Sequence, residues 1–155
     1  MILTFDLQIL NPLNTILYEC TKDYGEVINF GCFEDEENYS YVEIALEICL
    51  LISSQTVDFI VTGCSSGQGM MIACNSLPNL ICGYLPTPQD AYLFGRINDG
   101  NVVSLPLGLN YGWAGEINLK ATLQQLFEEP FGIGYPLKDA KRKQEDTKKI
   151  KALNQ

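Results

Sequence analysis

The stretch VDFIVTGCSSGQGMMIACN, residues 57 to 75, changes period in its middle. Val57 to Thr62 is a short apolar run bounded by polar residues and glycine, the pattern of a central parallel strand buried on both faces. From about Gly69 the apolar residues follow a helical spacing that stops at Leu77, ahead of Pro78. A strand, a glycine-bearing turn and a helix in that order form the first half of a β-α-β unit.

Working outward, the same alternation recurs on both sides. Residues 1 to 5 and 26 to 30 read as strands around a helix over 13 to 24. Ser40 and Glu43 form an S-x-x-E capping box ahead of YVEIALEICLLI, a helix apolar enough to be largely buried. LICGYL (80 to 85) is a fourth strand. Thr87-Pro88-Gln89-Asp90 is a second cap with proline at the first helical position. NVVSLP (101 to 106) is a fifth strand, and helices follow over 113 to 128 and along the basic tail. Regular alternation of this kind predicts an α/β fold, a doubly wound, five-stranded parallel sheet with helices on both faces, Rossmann-like. Residues 1–136 read as one domain and 137–155 as a basic helical tail.

Composition fits this reading. The chain has 155 residues, 46% of them hydrophobic, enough for one ordinary core. No apolar run approaches membrane-spanning length, and MILTFDLQIL has no basic segment ahead of its apolar residues, so a cytoplasmic protein without membrane contact is expected. Of the six cysteines, five are expected to be buried free thiols. The chain has no histidine and no C-x-x-C, which argues against a structural zinc site and excludes a cysteine-histidine hydrolase. Seven of the ten Lys and Arg lie between Lys138 and Lys151, leaving three against sixteen acids before them. So acidic a body repels a phosphate backbone, and nucleic acid is not an expected partner.

Ligands of doubly wound sheets sit beyond the carboxyl ends of the strands, which draws attention to Cys64. The N–H groups of Ser65 through Gly69 can curl into an anion-binding nest, with Gly67 and Gly69 supplying the dihedrals that other residues resist. The positive end of a helix also favours a thiolate, so Cys64 is expected to be the most reactive of the six on an open surface. Three familiar loops do not fit. A cysteine-phosphatase loop needs an arginine where Met70 stands, the dinucleotide fingerprint needs a glycine at Ile72, and a P-loop needs a Gly-Lys pair. Tyr111 and Trp113 are expected to be packing residues.

Residues 57 to 108, with TGCSSGQGMMIACN, the strand after Pro78 and RINDGNV in register, resemble the ribose-5-phosphate isomerase B and galactose-6-phosphate isomerase family. The resemblance implies isomerisation of an aldose phosphate to a ketose phosphate through a cis-enediolate, without metal or organic cofactor. It implies that Cys64 is the base, with Ser66 in the place of the motif's threonine, and that N–H groups among Ser65, Gly67, Gln68 and Gly69 hold the enediolate oxygen. Asn98 matches an asparagine that binds sugar hydroxyls, and Asp6 and Asp99 are candidates beside it. Family active sites are completed by a neighbouring subunit and its tail, so a homo-oligomer, dimer or tetramer, is implied. Lys138, Lys141 and Arg142 are then the phosphate-binding candidates, with Arg96 as the other available cation.

The chain also departs from the family pattern. No Asp-His pair follows the first strand, Ile97 stands where a ring-opening histidine is found, and LPLGLNYGWAG has no arginine. Two other readings therefore stay open: a non-catalytic partner subunit of a heteromeric isomerase, or a phosphosugar-binding regulator.

Overall fold

In a computed structural model, residues 2–5, 11–30, 39–109, 111–133 and 135–155 are described. Five parallel strands, β1 (Ile2–Phe5), β2 (Val27–Asn29), β3 (Phe59–Cys64), β4 (Cys82–Tyr84) and β5 (Val102–Pro106), form one sheet in the order β2-β1-β3-β5-β4. Crossover helices α1 (Asn11–Thr21), α2 (Tyr41–Ser53), α3 (Gln68–Asn75) and α4 (Pro88–Leu93) connect them, and α5 (Gly115–Phe127) and α6 (Ala140–Leu153) follow. The expected doubly wound class is what the structure shows.

Period-two alternation along β3 separates two cores. Ile60 and Cys64 face α2 and α3, packing with Ile44, Ile48, Met70, Cys74 and Val102. Val61 faces the other way, onto Leu17, Phe94, Val103, Leu105, Leu119 and Leu123. β3 and β5 are buried along nearly their whole length, which explains why both read as unbroken apolar runs.

The caps form where the sequence places them. Glu43 N–H donates to Ser40 Oγ at 3.3 Å, and Ser40 N–H donates to the Glu43 carboxylate at 2.7 Å. Asp90 N–H donates to Thr87 Oγ1 at 3.2 Å, with Pro88 at the helix start. Not anticipated was the end of α4, which widens into a π-helical turn over Phe94–Asn98 before Asp99 takes a left-handed conformation.

That wider turn accommodates Arg96, which is only 1% exposed. Its guanidinium donates to the carbonyls of Gln125 at 2.9 Å and Leu126 at 2.8 Å, and lies over the Tyr92 ring at 5.4 Å. A cation at the last carbonyls of α5 meets the negative end of that helix. Arg96 therefore holds α4 to α5, and the expectation of a spare cation there is corrected.

The tail helix α6 docks on its own domain. Thr147 Oγ1 donates to Ile97 O at 3.0 Å, Asn154 Nδ2 to Leu80 O at 2.6 Å, and Lys151 pairs with Asp99.

Candidate functional site

β3 ends at Cys64, which registers with Pro106, the last residue of β5. Leu107 N–H donates to Cys64 O at 3.0 Å, and both Gly108 and Leu109 donate to Ser65 O at 3.0 and 2.9 Å. The chain leaving β5 is thus stitched to the chain leaving β3. Between them, Gly67 turns the loop into α3 with φ of +75°. A Cβ on Gly67 would come within 2.7 Å of the Tyr84 ring and 3.0 Å of Leu105 O, so this glycine answers both a backbone and a space requirement. Gly69 does not: it lies inside α3 without a left-handed φ, and its added Cβ would meet Tyr41 at an ordinary 3.6 Å. The expected dihedral role of Gly69 is corrected.

The turn aims one backbone donor at the sulfur. Gly67 N–H lies 3.1 Å from Cys64 Sγ, a buried contact. Gln68 N–H donates to Ser66 Oγ at 3.3 Å. Two of the five N–H groups from Ser65 to Gly69 are therefore engaged within the loop, leaving those of Ser65, Ser66 and Gly69 as candidates for a ligand's oxygen. Ser65 and Gln68 are exposed, whereas Gly67 is buried.

Ser104, which the sequence reading passed over, locks this arrangement by donating to Gly67 O at 2.6 Å in the buried interior. A serine in the middle of NVVSLP was the available signal, because a hydroxyl in a buried strand needs a partner.

Cys64 itself is 7% exposed, so the open surface expected for it is not found. Of the described cysteines, Cys20 and Cys49 are the more accessible, while Cys64, Cys74 and Cys82 are buried; all five are free thiols. Burial pushes the Cys20 thiol up. Cys82 is pushed up by hydrogen bonding with the Cys74 thiol and by burial. Cys32 lies outside the described residues.

The remaining sequence candidates fall elsewhere. Asn98 and Asp99 close the π-helical turn, three residues before β5 begins, and Asn101 O in the following segment accepts from Ile60 N–H at the start of β3. They therefore stand at the amino-terminal end of the sheet. Cys64 is at the opposite end of a six-residue strand, roughly 17 Å away along its axis. Asp99 is paired with Lys151. Lys138 and Lys141 are exposed at the start of the tail, and Arg142 pairs with Asp139 at 3.5 Å and Asp146 at 3.2 Å. Asp6 lies outside the described residues. Trp113, expected to pack, is 100% exposed.

A cysteine held by a backbone N–H beside spare helix-terminal donors, with no titratable partner in the loop, is suited to taking a proton next to a developing oxyanion. The ribose/galactose isomerase family model matches residues 6–146. A 4-deoxy-L-threo-5-hexosulose-uronate ketol-isomerase, solved with a tartrate, is 36% identical with a TM-score of 0.92, covering 99% of this chain and 75% of its own. A ribose-5-phosphate isomerase from Vibrio parahaemolyticus gives 31% identity and a TM-score of 0.92 over the same shares. The type B ribose 5-phosphate isomerase of Trypanosoma cruzi, at 21% identity and a TM-score of 0.79, covers 98% of this chain and 94% of its own; it speaks for the fold alone. Among curated proteins none matches. With the family model spanning nearly the whole chain and two solved isomerases sharing about a third of its residues, the chain belongs to the ribose/galactose isomerase family.

Proposed function

We propose that the protein is an aldose-ketose isomerase in which Cys64 is the base. The C2–H bond of an open-chain aldose breaks to the thiolate, its electrons form the C1–C2 double bond, and the aldehyde oxygen takes up the charge. The same thiol returns the proton to C1 while the C2 hydroxyl proton passes to the C1 oxygen, giving the ketose. The N–H groups of Ser65 and Gly69 hold the enediolate oxygen, Ser66 keeps its hydroxyl on Gln68, and Gly67 holds the sulfur. A proton transfer between adjacent carbons needs a base and an anion-holding site, so no cofactor is required.

The observation that carries this reading is the Gly67 N–H aimed at Cys64 Sγ at 3.1 Å, in a chain of the ribose/galactose isomerase family. The substrate's anionic end is a phosphate gripped by Lys138, Lys141 and Arg142 of a neighbouring subunit, whose Asn98 and Asp99 would complete the site. Because Asn98 and Asp99 stand at the far end of their own sheet, it is the second subunit of a homo-oligomer that brings these residues to Cys64 in this reading.

A second reading is favoured by a specific observation. Arg96 is buried on α5 and Arg142 is already paired, and one relative of 36% identity acts on a uronate. A carboxylate-ended, unphosphorylated sugar then replaces the sugar phosphate. Turnover of ribose 5-phosphate, galactose 6-phosphate and galacturonate by the intact protein separates the two. Cys64→Ala is expected to lower turnover of whichever sugar reacts by about 10² to 10⁴-fold. Full activity in that variant would remove Cys64 from the mechanism.

A further inference from the structure

Trp113 is the only tryptophan in the chain, and its side chain is completely exposed. A large indole left in water at 100% exposure is unusual, since tryptophan is highly buried on average. It lies on the segment that leaves β5 beyond the Cys64 loop. The strand it follows, β5, lies beside β3, and the chain between them is tied down by the three bonds from Leu107, Gly108 and Leu109 to Cys64 and Ser65. Trp113 comes four residues after Leu109, within about 15 Å even of fully extended chain.

The segment holding Trp113 is braced rather than loose at its far end. The Tyr111 ring packs so closely on Gly115 that a Cβ there would lie 2.6 Å from it. Its hydroxyl is buried with no partner among the described residues. Gly112 and Ala114, on either side of Trp113, both take left-handed backbone angles, +56° and +60°. For the alanine this is a conformation that L side chains rarely adopt. Strain of this kind is retained where the surrounding structure fixes it, and here it falls on both backbone neighbours of Trp113. Leu109 and Ile117, four residues to either side in the sequence, are 74% and 69% exposed, and residues 107 to 115 include no charged side chain.

From this juxtaposition we infer that Trp113 is a specificity-determining residue, a stacking platform for the C–H face of the sugar whose C1 and C2 lie at Cys64. An aromatic face attracts polarised C–H groups and sheds water on contact, and aromatic side chains with a few placed polar groups are the usual lining of small-ligand sites. The sugar class follows from the lining. Its carbons beyond C2 are uncharged where they cross residues 107 to 115, and any phosphate or carboxylate is at the terminal carbon, outside this segment. The inference rests on the isomerase reading for the position of C1 and C2.

As the chain's one tryptophan, Trp113 reports on itself. Emission from the intact protein is measured during titration with ribose 5-phosphate, galactose 6-phosphate and galacturonate, alongside turnover of each. The accepted sugar is expected to shift the emission to shorter wavelength saturably, with a midpoint near its KM. Trp113→Ala is expected to raise that KM by about 3 to 10-fold with little change in kcat, and Trp113→Phe to restore most of it. An emission spectrum unmoved by a saturating sugar that is turned over would overturn the inference, as would an unchanged KM in a folded Trp113→Ala. An emission that shifts with protein concentration but not with sugar would overturn it too, assigning Trp113 to a subunit contact. If a sugar moves the emission while Cys64→Ala keeps full turnover, the stacking role stands and the Cys64 mechanism falls.

Discussion

Gly67 joins backbone conformation to chemistry at a single residue. Its left-handed φ turns the loop, its N–H reaches Cys64 Sγ, and its carbonyl takes the Ser104 hydroxyl. Gly67→Ala is expected to cost about 1 to 2 kcal/mol for the backbone angle alone. The contact of the new Cβ with Tyr84, at 2.7 Å, adds to that unless the ring gives way. Denaturant unfolding measures the loss, and a variant as stable as the parent would show that the loop relaxes freely. Gly69→Ala is the internal control: with only ordinary contact to Tyr41 and alanine's better helix propensity, it is expected to be neutral or slightly stabilising. The sequence made the two glycines look equivalent because spacing records how often a small residue occurs and not which one turns left. Cys64 was legible as the residue at the end of β3, but its burial was not, since that depends on what α2 and α3 bring over it.

At the scale of elements, α2 shows how much a local code can specify. Ser40 and Glu43 satisfy each other's backbone donors reciprocally, and these hydrogen bonds from Ser40 hold the Glu43 carboxyl below the usual carboxylate range. Since the folded value is depressed, this contribution is fully present above the ordinary carboxylate pKa and fades as the pH falls through the folded value. Ser40→Ala keeps the backbone N–H that is the larger cause of that depression and loses only the hydroxyl, so it is expected to cost about 1 kcal/mol at neutral pH and slightly less in acid, where the hydroxyl's share of the Glu43 interaction is lost from the parent too. Thermal unfolding of both proteins across that range checks it, and a difference independent of pH would assign the cap to Ser40 alone. The strands, the caps and the proline starts were readable because each is written within four or five neighbouring residues. The π-helical turn over Phe94–Asn98 was not, because it depends on Arg96 reaching the carbonyls of Gln125 and Leu126, some thirty residues away. A lone arginine in an apolar stretch was the one clue.

For the whole molecule, the placement of the tail and of RINDGNV matters most. The motif was readable and its residues were named, yet a motif's register says nothing of which end of the sheet it reaches. Asn98 precedes β5 and so stands at the strand's beginning, whereas Cys64 closes β3 at the other end. The basic tail, docked through Thr147 and Asn154, keeps to its own domain while its first residues, Lys138 and Lys141, face solvent.

The distance between Asn98 and Cys64 also has a genetic meaning. If each active centre draws its cysteine from one subunit and its asparagine from the next, two dead variants can rescue each other. Cys64→Ala and Asn98→Ala, each inactive alone, are expected on co-expression to yield mixed dimers in which one centre receives both lesions and the other neither. With random pairing, total activity would return to about a quarter of the parent's. No recovery in demonstrably mixed dimers would place the whole centre within a single chain.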